Sequence, residues 1–437
     1  MSLVDLLRPK ARQAPESGIT ELIAYGRGRE GLIPLWVGEG DMATPSFISE
    51  AAVEGLRAGE TFYTWQRGLP ELREALARYY QRHFGGSFAP EEFIVTGGGM
   101  HAILMALQAT VGAGDEIAYL SPAWPNLAAA AAIAGARPVP VSLEFSGNGW
   151  YLDRERLEAA IGPRTRAIFL NSPSNPTGWT ASLETLRDIL ALARRHGLWI
   201  IADEIYALFH HEGGRAPSFL DIAEPDDRIL FVNSFSKNWA MTGWRVGWLR
   251  VHPDLQQPFE NLMQYSTSGV PQFLQRGAAA ALDQGDAFVA EQVARAKKAR
   301  DMVVDALSAT GRARLVAPAG AFYLFFGVEG MTDSRRAAFE IVGRALLAPG
   351  DGEAVYLGSV HDVGHCLGGL AERDRQHAGR QRVERAGVPR LLGLEQPFHL
   401  GHRLGRAHAD RLVEDDPAGD RPALLLSATA HYSASLS

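Results

Sequence analysis

The stretch NSFSKNWAMTGWRVGW, residues 233–248, sets Lys237 between serines and an aromatic run, with Arg245 eight positions further on. Lysine is scarce in this chain: Lys10, Lys237, Lys297 and Lys298 stand among 43 lysines and arginines in all. In so apolar a segment, Lys237 is either one more surface cation or an amine kept for chemistry a guanidinium does not perform. Other chemistry-bearing residues follow short apolar runs. GGGMHAILMAL follows FIVT, SPAW follows EIAYL, SPSNPTG follows RAIFLN, EIY follows LWIIAD, and SFSK follows ILFVN. Those junctions present Gly99, Met100, His101, Trp124, Asn175, Asp203, Tyr206, Ser234, Ser236 and Lys237.

Each residue type has a use. A glycine loop that opens a helix offers free N–H groups and about half a positive charge to an anion. Trp124 offers a face on which a flat ring can stack. A lysine amine forms a Schiff base with a carbonyl, and a carboxylate such as Asp203 keeps a ring nitrogen protonated. Tyr206 and Asn175 suit a phenolate oxygen, while Ser234, Ser236 and the Arg245 fork suit a phosphate. Together they suit an aromatic aldehyde that carries a phosphate and a basic ring nitrogen. An exposed lysine amine titrates near ~10.4; a desolvated, cation-lined pocket lowers that value and frees the amine for proton transfer.

The elements that must position these groups alternate along the chain. FIVT, EIAYL, RAIFLN, LWIIAD, ILFVN and VGWLR read as short buried strands. Helical patterns lie between most of them, notably over 99–111, 125–134, 181–196 and 253–264, and LPELREALARYYQRHFG has helical spacing with a glycine stop. This alternation predicts an α/β fold with a mostly parallel sheet covered on both faces, whose ligands bind at the carboxyl ends of the strands. LIPLWVGEGD reads as a strand entering a glycine-rich turn. A long helix over 286–309, two strand candidates in ARLVAPAGAFYLFFGV and a helix over 333–347 predict a smaller α+β block. The boundaries read as an arm at 1–45, a large domain at 46–282, a small domain at 283–348 and an atypical segment at 349–437.

Composition narrows the class. With 437 residues, 46% of them hydrophobic and 21% charged, the chain fits a globular protein with a sizeable core. A net charge of −7 gives no reason to expect nucleic acid or an acidic membrane as partner. No signal peptide or membrane span is expected, and the lone Cys366 fits a reducing cytoplasm. GRGREG at 26–31 matches the dinucleotide-loop spacing but is neither preceded by a strand nor followed by a helix. Adjacent His210 and His211 read as surface residues, and nothing suggests a metal site.

NSPSNPTG, ADEIY and SFSKNWAMTGWR together resemble the fold-type I aminotransferases that depend on pyridoxal 5′-phosphate (PLP), of the class I/II, aspartate aminotransferase type. The resemblance covers about residues 15–348. It implies that Lys237 anchors the cofactor covalently and shuttles a proton, that Asp203 pairs with the pyridine nitrogen, and that Tyr206 and Asn175 contact the ring oxygen. The backbone at Gly99, Met100 and His101, with Ser234, Ser236 and Arg245, corresponds to the phosphate cup, although Met-His stands where many relatives carry Lys-Gln. Trp124 matches the stacking aromatic. Gly38 matches a glycine at the substrate carboxylate, beside Trp124 and Asn175. Tyr63 matches a tyrosine that reaches the neighbouring subunit's phosphate, which implies a homodimer with shared sites. The implied reaction is ping-pong amino transfer from an L-amino acid, aspartate or similar, to a 2-oxo acid. A PLP-dependent C–S lyase of the cystathionine β-lyase type and a catalytically impaired paralogue are the alternatives.

The resemblance stops past LLAPG at 346–350. The family continues into a strand that carries a carboxylate-clamping arginine and then a closing helix. Residues 349–437 hold seven of the thirteen histidines, show no sustained period and offer only Arg373 and Arg375 nearby, without the matching context. A shift of reading frame near residues 343–352 and a genuine divergent or disordered extension are the two readings of this stretch.

Overall fold

The computed structural model describes residues 2–29, 32 and 34–344. All of these fall in one unit, Met1–Gly369; the second unit, Leu370–Ser437, lies outside the described residues. So do the expectations for 349–437, among them the shift of reading frame and the missing arginine.

Strands form where the apolar runs predict them: β1 (Phe93–Thr96), β2 (Glu116–Ser121), β6 (Thr165–Asn171), β7 (Trp199–Asp203), β8 (Ile229–Ser234) and β9 (Gly247–Arg250). With β3 (Arg137–Ser142) they make a seven-stranded sheet in the order β1-β9-β8-β7-β6-β2-β3. β9 runs antiparallel to both β1 and β8, and the other pairings are parallel. A small hairpin, β4 (Glu144–Ser146) and β5 (Gly149–Tyr151), follows β3. β3 was not among the expected strands. Its sequence, RPVPVS, carries two prolines, which an edge position tolerates because one side of the strand needs no donors.

The apolar runs are continuous because helices cover both faces of the sheet. Within β6, Ala167 and Phe169 enter one core cluster while Ile168 and Leu170 enter another. The helices fall close to the expected positions: Pro70–Phe84, Gly99–Thr110, Pro125–Ala134, Leu183–His196, Gln256–Gln264 and Asp286–Ala309. Leu183–His196 illustrates the local logic. Ser182 Oγ accepts from the Thr185 N–H at 3.1 Å at its start, and Gly197 in the left-handed region ends it.

The smaller block departs from expectation in two places. No described residue of LIPLWV is in a strand; Leu32 and Trp36 pack instead against Leu22, Ala338 and Val342, on the helices Gly18–Gly26 and Ser334–Arg344. ARLVAPAGAFYLFFGV gives only two-residue strands at its flanks, β10 (Ala313–Arg314) and β11 (Gly327–Val328). Between them Ala321 takes φ +57°, which no strand accommodates. The helix expected over 333–347 is seen as Ser334–Arg344, the rest lying outside the described residues.

The sheet also sets the position of the glycine loop. Gly247 opens β9 directly beneath it: a Cβ there would stand 2.8 Å from both Asn233 O and Gly98 C, and 2.9 Å from Gly99 N. All three are backbone atoms, so neither side can yield cheaply. Gly247→Ala should lower stability by about 1–3 kcal/mol or more, read as a reduced denaturant midpoint; an unchanged midpoint would mean that loop and sheet are not held in this register.

Candidate active site

Three parallel strands end side by side on residues that could do chemistry. Asn171 closes β6, Asp203 closes β7 and Ser234 closes β8, with Asn171 and Asp203 in register as neighbours. The loops beyond these ends enclose a cavity of about 540 Å³. Gly38, Gly99, Met100, Trp124, Asn175, Asp203, Tyr206, Ser234, Ser236, Lys237 and Arg245 all line it. The sequence reading therefore assembled eleven groups that the fold brings to one place.

Two expected residues lie elsewhere. The His101 side chain is not part of the lining; Gly97 N–H donates to its Nδ1 at 3.1 Å and its Nε2 lies 3.1 Å from Ser266 Oγ. Burial also holds the His101 ring below the usual imidazole range, so the neutral tautomer steadies the glycine loop. Tyr63 is 94% exposed and stands apart from the cavity of its own chain.

Asp203 is buried, and Ile205 N–H, at 3.3 Å, is the one hydrogen bond its carboxylate accepts among the described residues. Burial pushes its carboxyl up to about 7, with the Ile205 N–H and the Lys237 charge pulling the other way. Burial lowers the Lys237 amine to about 8; Glu39 opposes that shift, Arg245 adds to it and Asp203 opposes it. The Lys237 amine donates to Gly38 O, joining the β8 loop to the N-terminal arm.

The anion end is compact. Ser234 Oγ accepts from Ser236 N–H at 3.1 Å and lies 2.8 Å from Ser236 Oγ. Arg245 Nη1 donates to Thr242 O at 2.7 Å and reaches Ser236 Oγ at 3.5 Å. Arg245 holds φ +57°, a left-handed conformation uncommon for a non-glycine residue and found where surroundings over-determine the backbone. Gly98 is required where it stands: at φ +89° it adopts what other residues avoid, and a Cβ there would run into the Arg245 guanidinium. The loop thus closes on the arginine and leaves N–H groups of the helix Gly99–Thr110 facing the cavity.

Sequence reasoning missed four contributors. Asn171 accepts from Asn175 N–H at 2.7 Å and donates to Asp203 O at 3.0 Å, which fixes two site residues at once. Its place at a strand end was the available signal. Tyr323 also lines the cavity, its hydroxyl 2.6 Å from Tyr206 Oη and 3.2 Å from Asn175 Nδ2. His211 is buried, contrary to the surface reading, because its ring meets Ala321 O at 2.7 Å. Glu204, behind the sheet end, is buried against Ser218 and pushed up to about 7 by that burial.

The residues present fit PLP. A buried carboxyl with one weak partner suits a pyridinium nitrogen. Asn175 Oδ1 is buried without a hydrogen-bond partner, and Gly98 with Arg245 forms a cradle that a side chain would fill.

The α/β fold, with its mostly parallel seven-stranded sheet, is that of the fold-type I PLP transferases. Residues 30–342 match the family model for aminotransferase class I and II. The chain is 33% identical to the aspartate aminotransferase of Thermotoga maritima over 74% of its own length and 85% of that protein. It is 34% identical to the aspartate/prephenate aminotransferase of Thermus thermophilus, over 81% and 91% respectively. A solved Thermus thermophilus aspartate aminotransferase, crystallised with maleate, superposes with a TM-score of 0.72 over 78% of this chain and 90% of that one, at 33% identity. The chain belongs to the class I and II aminotransferases and is a transaminase.

Among the described residues no helix is long and apolar enough to cross a membrane, and no cluster of side chains is suited to a metal ion.

The Asp203 shift makes a stability prediction. A carboxyl raised to about 7 keeps its proton in the folded state while the unfolded chain loses it near ~4. Its contribution is therefore present at low pH and lost as pH rises through about 7. Lys237, lowered to about 8, acts in the opposite sense at higher pH. In ligand-free protein, Asp203→Asn should gain on the parent by a few kcal/mol between about pH 4 and 7. Parallel melting curves in that window would contradict the assignment.

Proposed function

We propose that this transaminase uses PLP, with Lys237 as its covalent anchor and proton carrier. The buried, nearly unpartnered Asp203 sharing one cavity with Lys237 carries this reading. When bound, PLP supplies an aldehyde that condenses with amines and a protonated ring that accepts the electron pair released at the substrate's α-carbon.

The chain's own residues do the rest. Asp203, ionised by a cationic partner, holds a proton on the ring nitrogen. Tyr206 and Asn175 direct donors at the ring oxygen. Backbone N–H groups at Gly99, Met100 and His101, the hydroxyls of Ser234 and Ser236 and the Arg245 fork hold the phosphate. Trp124 covers one face of the ring and, with Gly38 and Asn175, borders the substrate. Lys237, once the substrate amine displaces it from the cofactor, would take up the proton released at the substrate's α-carbon, a task its lowered basicity suits.

The substrates we propose are aspartate or a similar L-amino acid and a 2-oxo acid, turned over in two half-reactions. Relatives named for aspartate support this choice. We further propose a cytoplasmic homodimer, in which the exposed Tyr63 of one copy reaches the phosphate of the other. An arm at 1–45, a large domain at 46–282 and a small domain at 283–348 are the proposed divisions.

Three outcomes test this. Protein incubated with PLP should show a visible absorbance band that Lys237→Ala abolishes, and amino transfer should fall at least about a hundredfold in the same variant. Arg245→Ala should weaken PLP binding about tenfold or more, as expected for loss of a charge-assisted contact. Pyruvate release from cystathionine without amino transfer would contradict the reaction proposed.

A further inference from the structure

Tyr323 lies where three parts of the chain meet. Its hydroxyl touches Tyr206 Oη at 2.6 Å and accepts from Asn175 Nδ2 at 3.2 Å, both on loops from the sheet. On the other side it abuts the N-terminal arm, since a Cβ on Gly38 would overlap that hydroxyl. Its backbone is held by the segment that continues from Asp203 and Tyr206. Ala321 N–H donates to Phe209 O at 2.8 Å, His211 N–H donates to Ala319 O at 2.8 Å, and the His211 ring meets Ala321 O at 2.7 Å. The left-handed Ala321 then turns the chain so that Phe322 and Tyr323 pack edge-on against Tyr206, centroids 5.5 and 5.6 Å away. A strained backbone clamped from both sides, ending on a half-buried tyrosine that lines the cavity, is a built arrangement and not loose packing.

The Tyr206–Tyr323 contact is a hydrogen bond in which either hydroxyl can donate. The Tyr323 oxygen already accepts from Asn175, and its own proton has one recorded neighbour, Tyr206 Oη. When Tyr323 donates, the Tyr206 proton is left to the cavity that both hydroxyls line. A chain of donors aligned in this way polarises each member, which makes its last proton a stronger donor.

Building on the PLP site proposed above, we propose that Tyr323 is a positioning residue: it orients Asn175 and Tyr206 together, so that both present donors to the ring oxygen of the bound cofactor. It acts through those two residues, and the other ionisable groups that line the cavity are Glu39, Asp203, Lys237 and Arg245.

The test compares parent, Tyr323→Phe, Tyr206→Phe and the double variant, each loaded with PLP, by following visible absorbance against pH. Tyr323→Phe keeps the ring and its packing and removes one oxygen. Its midpoint should rise by about half a unit or more, because weaker donors stabilise the ring-oxygen anion less. Its PLP dissociation constant, from fluorescence quenching, should rise about three- to tenfold. In the Tyr206→Phe background, Tyr323→Phe should add less than about a third of its own shift, the non-additivity of residues that share a partner. A midpoint unmoved by Tyr323→Phe, or shifts that add in full, would overturn the proposal. A parent protein with no PLP absorbance band would overturn the cofactor reading itself and this proposal with it, a result told apart by the parent alone.

Discussion

A carboxylate buried at the end of a parallel strand is the constraint around which this molecule is arranged. Asp203 has one backbone N–H at 3.3 Å and no direct ion pair among the described residues. Burying such a group costs several kcal/mol unless it is neutral or meets a cation. In the ligand-free fold it meets the cost by holding its proton, with the carboxyl pushed up to about 7. A cationic ring nitrogen would reverse that state. The neighbours read as supports for this one group: Asn171 fixes its backbone oxygen, Lys237 adds a distant positive charge, and the parallel register of β6, β7 and β8 places all of them at one edge.

Much of this was visible in the chain. Strands buried on both faces need unbroken apolar runs, so FIVT, RAIFLN, LWIIAD and ILFVN identified themselves, and what followed each run was the site. Glycine marked a helix limit for an equally local reason, as at Gly85, which ends Pro70–Phe84. Eleven expected site residues came together because a parallel sheet delivers its strand ends to one side. The backbone contacts expected at His101 depend on the same logic, whereas its ring serves the loop itself.

The residues that stayed hidden depend on contacts between distant parts of the chain. AGAFYLFF reads as a strand because its residues are apolar and aromatic. It is not one because Ala321 is turned left-handed by partners at 209–211, more than a hundred positions away. Nothing in the neighbouring sequence of His211 announces that its ring will be buried against Ala321. LIPLWV has strand-like composition yet finds no strand to pair with, and its Trp36 is better used against Leu22 and Val342. RPVPVS escaped notice for the opposite reason: its prolines argue against a strand, and the edge of the sheet accepts them.

These hidden contacts link the two ends of the site. Residues 209–211 leave the Asp203 loop and pair with 319–321, which carry the chain to Tyr323 and so to Gly38 on the arm. The central claim remains the charge state at Asp203, and the most direct measurement is the nitrogen-15 NMR signal of ring-labelled PLP bound to the protein at about pH 8, where an ordinary carboxyl is ionised. The parent protein should give a protonated ring nitrogen and Asp203→Asn a neutral one. A neutral nitrogen in the parent, or the same signal from both proteins, would contradict the account.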